Sequence, residues 1–128
     1  MQRILIVEDS ATMRSLLASS LEELEVPVKI VEAESGFEAL RFLPREDFDL
    51  VVTDINMPDI NGLELVSFIR QNKKYVDIPL VIVSTEGSER DRDKGLQLGA
   101  DAYMVKPFDP DMLRQVVIDL LAGRREER

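Results

Sequence analysis

Acidic, hydroxyl and ammonium side chains stand directly after four of the short apolar runs in this sequence. They are Glu8, Asp9, Asp54, Ser84, Thr85 and Lys106. Carboxylate oxygens are ligands that a hard divalent cation prefers, and a compact ammonium suits phosphate oxygens. If the fold brings these groups together, their chemistry is that of a metal-assisted site that handles a phosphate group.

Five apolar runs rich in β-branched residues alternate with longer amphipathic stretches, which predicts five strand–helix units. The predicted strands cover residues 4–7, 28–31, 50–53, 80–83 and 102–105. Most of them are continuously apolar, as expected of parallel strands covered on both faces. Right-handed crossovers then give an α/β three-layer sandwich, with helices on both faces of a five-stranded parallel sheet. Since the carboxyl ends of parallel strands share one edge, the six polar side chains are expected to meet there.

The amphipathic stretches predict how the helices pack. Ser35 and Glu38 predict a capping box at the start of the second helix, with Phe37 buried. The apolar stripe of the fifth helix includes Met112. The fourth helix, roughly residues 88–98, is mostly charged, so it is expected to be the most loosely held.

Three carboxylates at one edge repel one another, and a cation such as Mg²⁺ resolves the repulsion. Phosphoryl transfer to a carboxylate needs a metal, a positive group and a hydroxyl around an exposed aspartate. Asp54 has the best position for that nucleophile, Glu8 and Asp9 then hold the metal, and Lys106 and Ser84 contact the phosphate oxygens. Taken singly, each residue could equally cap a helix, end a strand or lie on the surface.

Composition excludes several other classes. A length of 128 residues fits one domain, expected over residues 1–123, with residues 124–128 as a short charged tail. The absence of His and Cys excludes histidine metal sites, Ser-His-Asp catalysis and disulfides. The net charge of −9 disfavours nucleic acid as a partner. Apolar runs far shorter than the ~20 residues of a membrane span predict no membrane association and a cytoplasmic protein.

Four motifs occur in order along the chain: ILIVEDS at 4–10, LVVTDINMPDINGLEL at 50–65, VIVSTEGSE at 81–89 and GADAYMVKPF at 99–108. With them the chain resembles the receiver domain of two-component response regulators, most closely the stand-alone chemotaxis (CheY-like) type. The resemblance covers essentially the whole sequence. It implies a flavodoxin-like fold with the sheet order 2-1-3-4-5.

The resemblance also implies roles for the acidic residues. Asp54 is the expected phospho-acceptor. Asp9, Asp54 and the backbone carbonyl of Asn56 are the expected ligands of Mg²⁺, for which Mn²⁺ could substitute, and Glu8 is expected to act through a water. Receivers more often have Asp than Glu at the position of Glu8.

The remaining site residues follow from the same resemblance. Ser84, where Thr is commoner, is expected to hydrogen-bond the phosphoryl group, and Lys106 to bind it and to precede a cis peptide bond with Pro107. Tyr103 is the expected switch aromatic, which turns inward when Ser84 moves.

Asn56 and Glu86 lie two residues past the acceptor and two past the switch hydroxyl. In receivers these positions modulate access of the hydrolytic water. We therefore expect Asn56 and Glu86 to tune the rate of dephosphorylation more than the affinity for metal.

The expected function is a phosphorylation-dependent switch rather than a turnover enzyme. A histidine kinase or a small acyl phosphate donates the phosphoryl group, and the face made by the fourth helix, fifth strand and fifth helix signals to a protein target, in chemotaxis or another motility pathway. A monomer is expected. The alternatives are a Mg²⁺-dependent aspartyl-phosphate phosphatase and a docking module that acts without phosphorylation. A flavin-binding protein is disfavoured by the acidic rim.

Overall fold

The computed structural model describes residues 1–126, the last three of them in backbone only. Its centre is one parallel sheet in the order β2-β1-β3-β4-β5, so the predicted fold class and strand order are confirmed. The strands are β1 (Gln2–Val7), β2 (Val28–Ala33), β3 (Leu50–Thr53), β4 (Leu80–Ser84) and β5 (Ala102–Val105). β3 and β4 are buried at every position, whereas most positions of the edge strands β2 and β5 are partly or fully exposed, because an edge strand has a neighbour on one side only.

A helix follows each strand. The helices are α1 (Ala11–Glu22), α2 (Gly36–Phe42), α3 (Gly62–Gln71), α4 (Glu89–Leu98) and α5 (Pro110–Glu126). α1 and α5 pack on one face of the sheet and α2, α3 and α4 on the other, so the core has two halves separated by the sheet. Among the described residues, none of the helices combines the length and the apolar character that a membrane span requires.

The strand register brings the carboxyl ends together. Val7, the last residue of β1, pairs with Ala33 on one side and Thr53 on the other, and Ser84 of β4 pairs with Val105 of β5. The residues that follow these strands therefore emerge along the same edge.

Two sequence-based expectations about helix faces are wrong. Phe37 is 58% exposed and Met112 is 60% exposed. In α2 the buried residues are Gly36 and Ala39, and Phe37, one residue after Gly36, projects about 100° away around the helix. In α5 the face that packs on the core is that of Leu113, Val117 and Leu121, and Met112 precedes it.

The predicted capping box of α2 is only half formed. The Ser35 hydroxyl accepts the N–H of Glu38, but the Glu38 carboxylate accepts the N–H of Glu34 rather than that of Ser35. A complete capping box occurs instead on α3, between Asn61 and Glu64.

The expectation of a weakly packed fourth helix agrees with the structure, since Gly95 is the only buried residue of α4. At the carboxyl end, α5 continues to Glu126 and so includes part of the segment predicted as a charged tail. Residues 127–128 of that segment lie outside the described residues.

Candidate functional site

Three carboxylates meet at the carboxyl edge of the sheet. One oxygen of each of Glu8, Asp9 and Asp54 lies within 4.8 Å of the others. Glu8 is 1% exposed and Asp54 7% exposed, whereas Asp9 is exposed. The cluster therefore has a buried base and one side open to solvent.

Lys106 supplies the positive charge of the cluster. Its Nζ lies 2.5 Å from Glu8 Oε1 and 3.4 Å from Asp54 Oδ2, and its side chain is only 10% exposed. Lys106 follows β5 directly, and its peptide bond to Pro107 is cis. Three carboxylates and one ammonium leave a formal charge of −2, which a divalent cation would neutralise.

Burial and neighbouring groups shift the ionisation of Glu8. Burial raises the pKa of Glu8 above its ordinary value, and the charge of Asp54 acts in the same direction. Hydrogen bonds from Lys106 and from the Ser10 N–H oppose the rise without cancelling it. The net rise therefore reflects mainly the cost of burying the charge of Glu8, which the contacts with Lys106 and Ser10 only partly offset.

The backbone around Asp54 holds its carboxylate in a defined orientation. The Ile55 N–H donates to Asp54 Oδ1 at 2.7 Å, which leaves Oδ2 towards Lys106. The loop after Asp54 folds back on it, closed by a bond from Gly62 N–H to Ile55 O at 2.8 Å. A Cβ at position 62 would lie 1.9 Å from the Asp54 carbonyl oxygen, so only glycine allows this close approach.

A second group of residues connects the loops after β3 and β4 with β4 and β5 themselves. Asn56 Nδ2 donates to Glu86 Oε1 at 2.9 Å, and Tyr103 donates its hydroxyl to the Glu86 carbonyl at 2.5 Å. The completely buried Ser84 accepts the Glu86 N–H on its hydroxyl at 3.1 Å. Glu86 thus links three of the residues singled out from the sequence.

The Tyr103 ring packs inward beneath α4 and is 8% exposed. Burial raises the pKa of Tyr103 above its ordinary value of 10.0, reinforced by the charges of Asp91, Glu86 and Asp54 and opposed by a hydrogen bond with Ser84. A Cβ on Gly95 would lie 3.1 Å from the ring, so glycine at this position of α4 makes room for it.

Sequence reasoning missed three residues that organise this edge. Gly95 accommodates Tyr103, and its signal was a glycine inside a predicted helix, which usually marks close packing. Asp59 binds the first amides of α2 through Oδ1 to Gly36 N–H (3.2 Å) and Oδ2 to Phe37 N–H (2.9 Å). Arg14 donates to the Glu8 carbonyl at 2.9 Å. No sequence pattern indicates the roles of Asp59 and Arg14, because their contacts form only when the chain folds.

A cavity of about 330 Å³ lies at the opposite, amino edge of the sheet, lined in part by Arg70, Gly99 and Asp101. Arg70 donates to the carbonyls of Gly99 and Ile78 and to the Asp101 carboxylate. Its guanidinium holds α3 to the loop before β5, so Arg70 and Asp101 have a structural role at this cavity.

Comparison with known proteins identifies the family. Residues 4–118 match the response regulator receiver domain. The chain is 42% identical to a chemotaxis protein CheY homolog of Campylobacter jejuni, over 93% of this chain and 92% of that protein. It is 37% identical to the chemotaxis protein CheY1 of Helicobacter pylori, over 88% and 91% of the respective chains. The structure of the chemotaxis response regulator CheY4 of Vibrio cholerae superposes with a TM-score of 0.84 at 30% identity, covering 94% of this chain and 98% of that one.

The sequence match includes residues of all five strands and the whole acidic cluster, and the structural match covers 94% of this chain. Receivers of this kind take phosphate from histidine kinases and signal to downstream targets. On these grounds the chain belongs to the response regulator receiver domain family, and within it to the CheY-like type.

Proposed function

We propose that this protein is a phosphorylation-dependent switch in which Asp54 accepts a phosphoryl group in a Mg²⁺-dependent reaction. The observation that carries the proposal is the position of Asp54 Oδ2, 3.4 Å from Lys106 Nζ and within the cluster that Glu8 and Asp9 complete. The donor is the phosphohistidine of a kinase or a small acyl phosphate. The 128 residues contain no histidine, so no phosphohistidine donor lies among them.

In the proposed reaction Asp54 Oδ2 attacks the phosphorus atom of the donor. A bond from Oδ2 to phosphorus forms, and the bond from phosphorus to the donor's nitrogen or oxygen breaks, with the electron pair leaving on the donor. We assign the attack to Oδ2 because Oδ1 accepts the Ile55 N–H. Lys106 then exchanges its contacts with the carboxylates for contacts with the phosphoryl oxygens, whose charge it offsets.

The residues present fit a divalent metal. Their donors are hard carboxylate oxygens, the formal charge of the cluster with Lys106 is −2, and the exposed Asp9 leaves a path from solvent. We propose that Asp9, Asp54 and the Asn56 carbonyl hold Mg²⁺ directly and that Glu8 holds it through water. When bound, the metal supplies positive charge to the transferring phosphoryl oxygens.

The second group of residues would pass the signal outward. In the proposal the Ser84 hydroxyl leaves the Glu86 N–H to bind the phosphoryl group, which shifts the loop after β4 and the position of Tyr103. The face of α4, β5 and α5 then presents a different surface to a protein target. α4 suits this task because an element with one buried residue costs little to move. The resemblance to CheY proteins supports a target in chemotaxis or motility.

The phosphatase alternative is weaker. Aspartyl-phosphate phosphatases use a second acid two residues after the nucleophile, and here that position is Asn56, whose amide cannot transfer a proton. A docking module that works without phosphorylation would have no need of Asp9, Asp54 and Lys106 together. We therefore propose that the protein catalyses only its own phosphorylation and dephosphorylation.

The decisive experiment is intact mass spectrometry after incubation with acetyl phosphate and Mg²⁺. Wild type is expected to gain the mass of one phosphoryl group, and Asp54→Asn, which keeps the side-chain shape and an oxygen acceptor, is expected to gain none. Asp109→Asn, on the exposed loop before α5, is the matched control and should behave as wild type. No added mass on wild type would refute the proposal.

The rate of dephosphorylation of Asn56 and Glu86 variants tests a finer part of the proposed function. Because the Asn56–Glu86 hydrogen bond joins the two loops above the acid cluster, we expect substitutions at Asn56 or Glu86 to change the dephosphorylation rate more than the metal affinity. Equal effects on both quantities would contradict this assignment.

A further inference from the structure

Arg14 connects three segments at the back of the acidic cluster. It lies in the first turn of α1, and its Nη1 donates to the carbonyl oxygen of Glu8 at 2.9 Å. Its Nε and Nη2 each lie 3.5 Å from a carboxylate oxygen, of Glu32 and Glu34 respectively. The Arg14 side chain is only 14% exposed. The guanidinium therefore has a fixed place between α1, the end of β1 and the end of β2.

The contact with the Glu8 carbonyl bears on Asp9. A peptide group is planar, so holding the carbonyl oxygen of Glu8 also fixes the orientation of the Asp9 N–H and Cα. The Glu8 carboxylate is held separately, by Lys106 and by the Ser10 N–H at 3.0 Å. Arg14 thus supplies the side-chain restraint on the peptide that leads to the exposed acid of the cluster.

The backbone of Arg14 reinforces this restraint. Its N–H donates to the Ser10 carbonyl at 2.8 Å, in the first turn of α1. One residue therefore binds the β1–α1 loop through its main chain and its side chain. The carboxylates of Glu32 and Glu34 orient the guanidinium, whose planar fork can serve several acceptors at once, as an ammonium cannot.

We propose that Arg14 is a positioning residue that sets the affinity of the acidic cluster for its divalent cation through the Glu8–Asp9 peptide. The inference rests on the proposed metal site and adds a determinant outside the ligand set. Mg²⁺ demands near-ideal octahedral geometry, so a small displacement of Asp9 is costly. Loss of a residue that orients metal ligands typically lowers metal affinity by roughly 10- to 100-fold.

The test compares Arg14→Gln with Arg114→Gln. Arg114 is a matched control because its guanidinium also donates to a carbonyl of α1, that of Ser20 at 3.1 Å, and is likewise flanked by carboxylates, of Glu23 and Asp111. Its side chain is 20% exposed, close to the value for Arg14. Each substitution removes one hydrogen bond from an arginine to a backbone carbonyl. Of the two arginines, only Arg14 contacts the segment that carries Glu8 and Asp9.

Binding is measured with Mn²⁺ alone, by electron paramagnetic resonance of the free ion. We expect the Kd to rise by roughly tenfold or more in Arg14→Gln and to stay within about twofold of wild type in Arg114→Gln. In phosphorylation by acetyl phosphate, the half-saturating Mg²⁺ concentration should rise in parallel, while the rate at saturating Mg²⁺ stays within about twofold. If Arg14 had a purely structural role, the phosphorylation rate would fall at every Mg²⁺ concentration. Saturating Mg²⁺ would then not restore the rate of wild type.

The outcomes separate this inference from the proposed function. An unchanged Kd in Arg14→Gln, with wild type binding Mn²⁺, would overturn the role of Arg14 alone. No binding by wild type would overturn the metal site and this inference with it. If Arg14→Gln is too unstable to purify, Arg14→Lys is used instead. This variant keeps the positive charge and loses the planar guanidinium. A Kd for Mn²⁺ equal to that of wild type would overturn the inference.

Discussion

α3 and α4 are neighbouring helices of equal length on the same face of the sheet, and they are anchored very differently. Each has 10 residues and each follows a loop that begins at the candidate site. α3 has a complete capping box and buries Gly62, Leu65, Val66 and Ile69. α4 buries Gly95 alone, and most of its side chains are charged. In the proposed switch the loop after Asp54 stays in place and the loop after Ser84 moves, and this difference in anchoring would supply both.

Gly62→Ala is the strongest test of whether the loop between Asp54 and α3 is held rigidly. The added Cβ would lie 1.9 Å from the backbone oxygen of Asp54, which cannot move without displacing β3. We expect the free energy of unfolding in urea to fall by about 3 kcal/mol, the upper end of the usual cost of overpacking. Gly123→Ala is the control, because nothing lies within 4 Å of its added Cβ. A loss below about 1 kcal/mol in Gly62→Ala would show that the loop after Asp54 is not rigid.

Native-state hydrogen exchange compares the two helices directly. Amides of α3 are expected to exchange at least tenfold more slowly than those of α4, a difference in opening free energy of about 1.4 kcal/mol. Phosphorylation should change exchange across residues 85–98 and leave α3 nearly unchanged. Equal protection of the two helices, or no change over residues 85–98, would contradict the division into fixed and movable parts.

Gly95→Ala probes how α4 is coupled to Tyr103. The added Cβ would meet Ile82 Cδ1 at 2.9 Å and the Tyr103 ring at 3.1 Å, so the ring should shift towards solvent. Less burial should bring the pKa of Tyr103 down towards 10.0, as measured by ultraviolet titration in a Tyr75→Phe background. The net stability loss should be about 1 kcal/mol, because overpacking is partly offset by the higher helix propensity of alanine. An unchanged Tyr103 pKa would mean that α4 and the ring move independently.

The smallest effect is expected at Asp59, which ties the loop before α3 to the start of α2. Desolvation opposes ionisation of this carboxylate, but the N–H groups of Phe37, Ile60 and Gly36 and the Ser35 hydroxyl outweigh it, so the pKa of Asp59 is lowered. The stabilisation is therefore present above pH 3.8 and is lost as the pH falls through that value towards the folded-state pKa.

Asp59→Asn should therefore cost about 0.5 kcal/mol at neutral pH, the scale of one charge at an exposed helix terminus. Urea unfolding at several pH values should show the gap to wild type closing below pH 3.8. Ser10→Ala is the control, because its uncharged hydroxyl caps α1 by accepting the Met13 N–H, and its stability loss should not depend on pH. A gap that persists in acid would show that Asp59 acts by packing rather than by charge.

The sequence predicts well which residues meet at the carboxyl edge of the sheet, because that prediction depends only on local patterns along the chain. Each of Glu8, Asp54 and Lys106 directly follows a run that is recognisable as a strand, and parallel strands end at one edge. The error at Phe37 arose because a seven-residue helix is too short for its pattern to define one face. Arg14 and Asp59 could not be found, since their partners depend on tertiary packing and the chain offers 25 acidic and 16 basic residues to pair.

The ion pair between Lys106 and Glu8 joins residues 98 positions apart in the chain. Contacts of such long sequence separation form late, because closing the intervening loop costs entropy that only the assembled sheet repays. Until β5 docks, a partly folded chain lacks the ammonium beside the acids that follow β1 and β3. If Asp54 accepts a phosphoryl group as proposed, we expect that reaction to require the completed sheet.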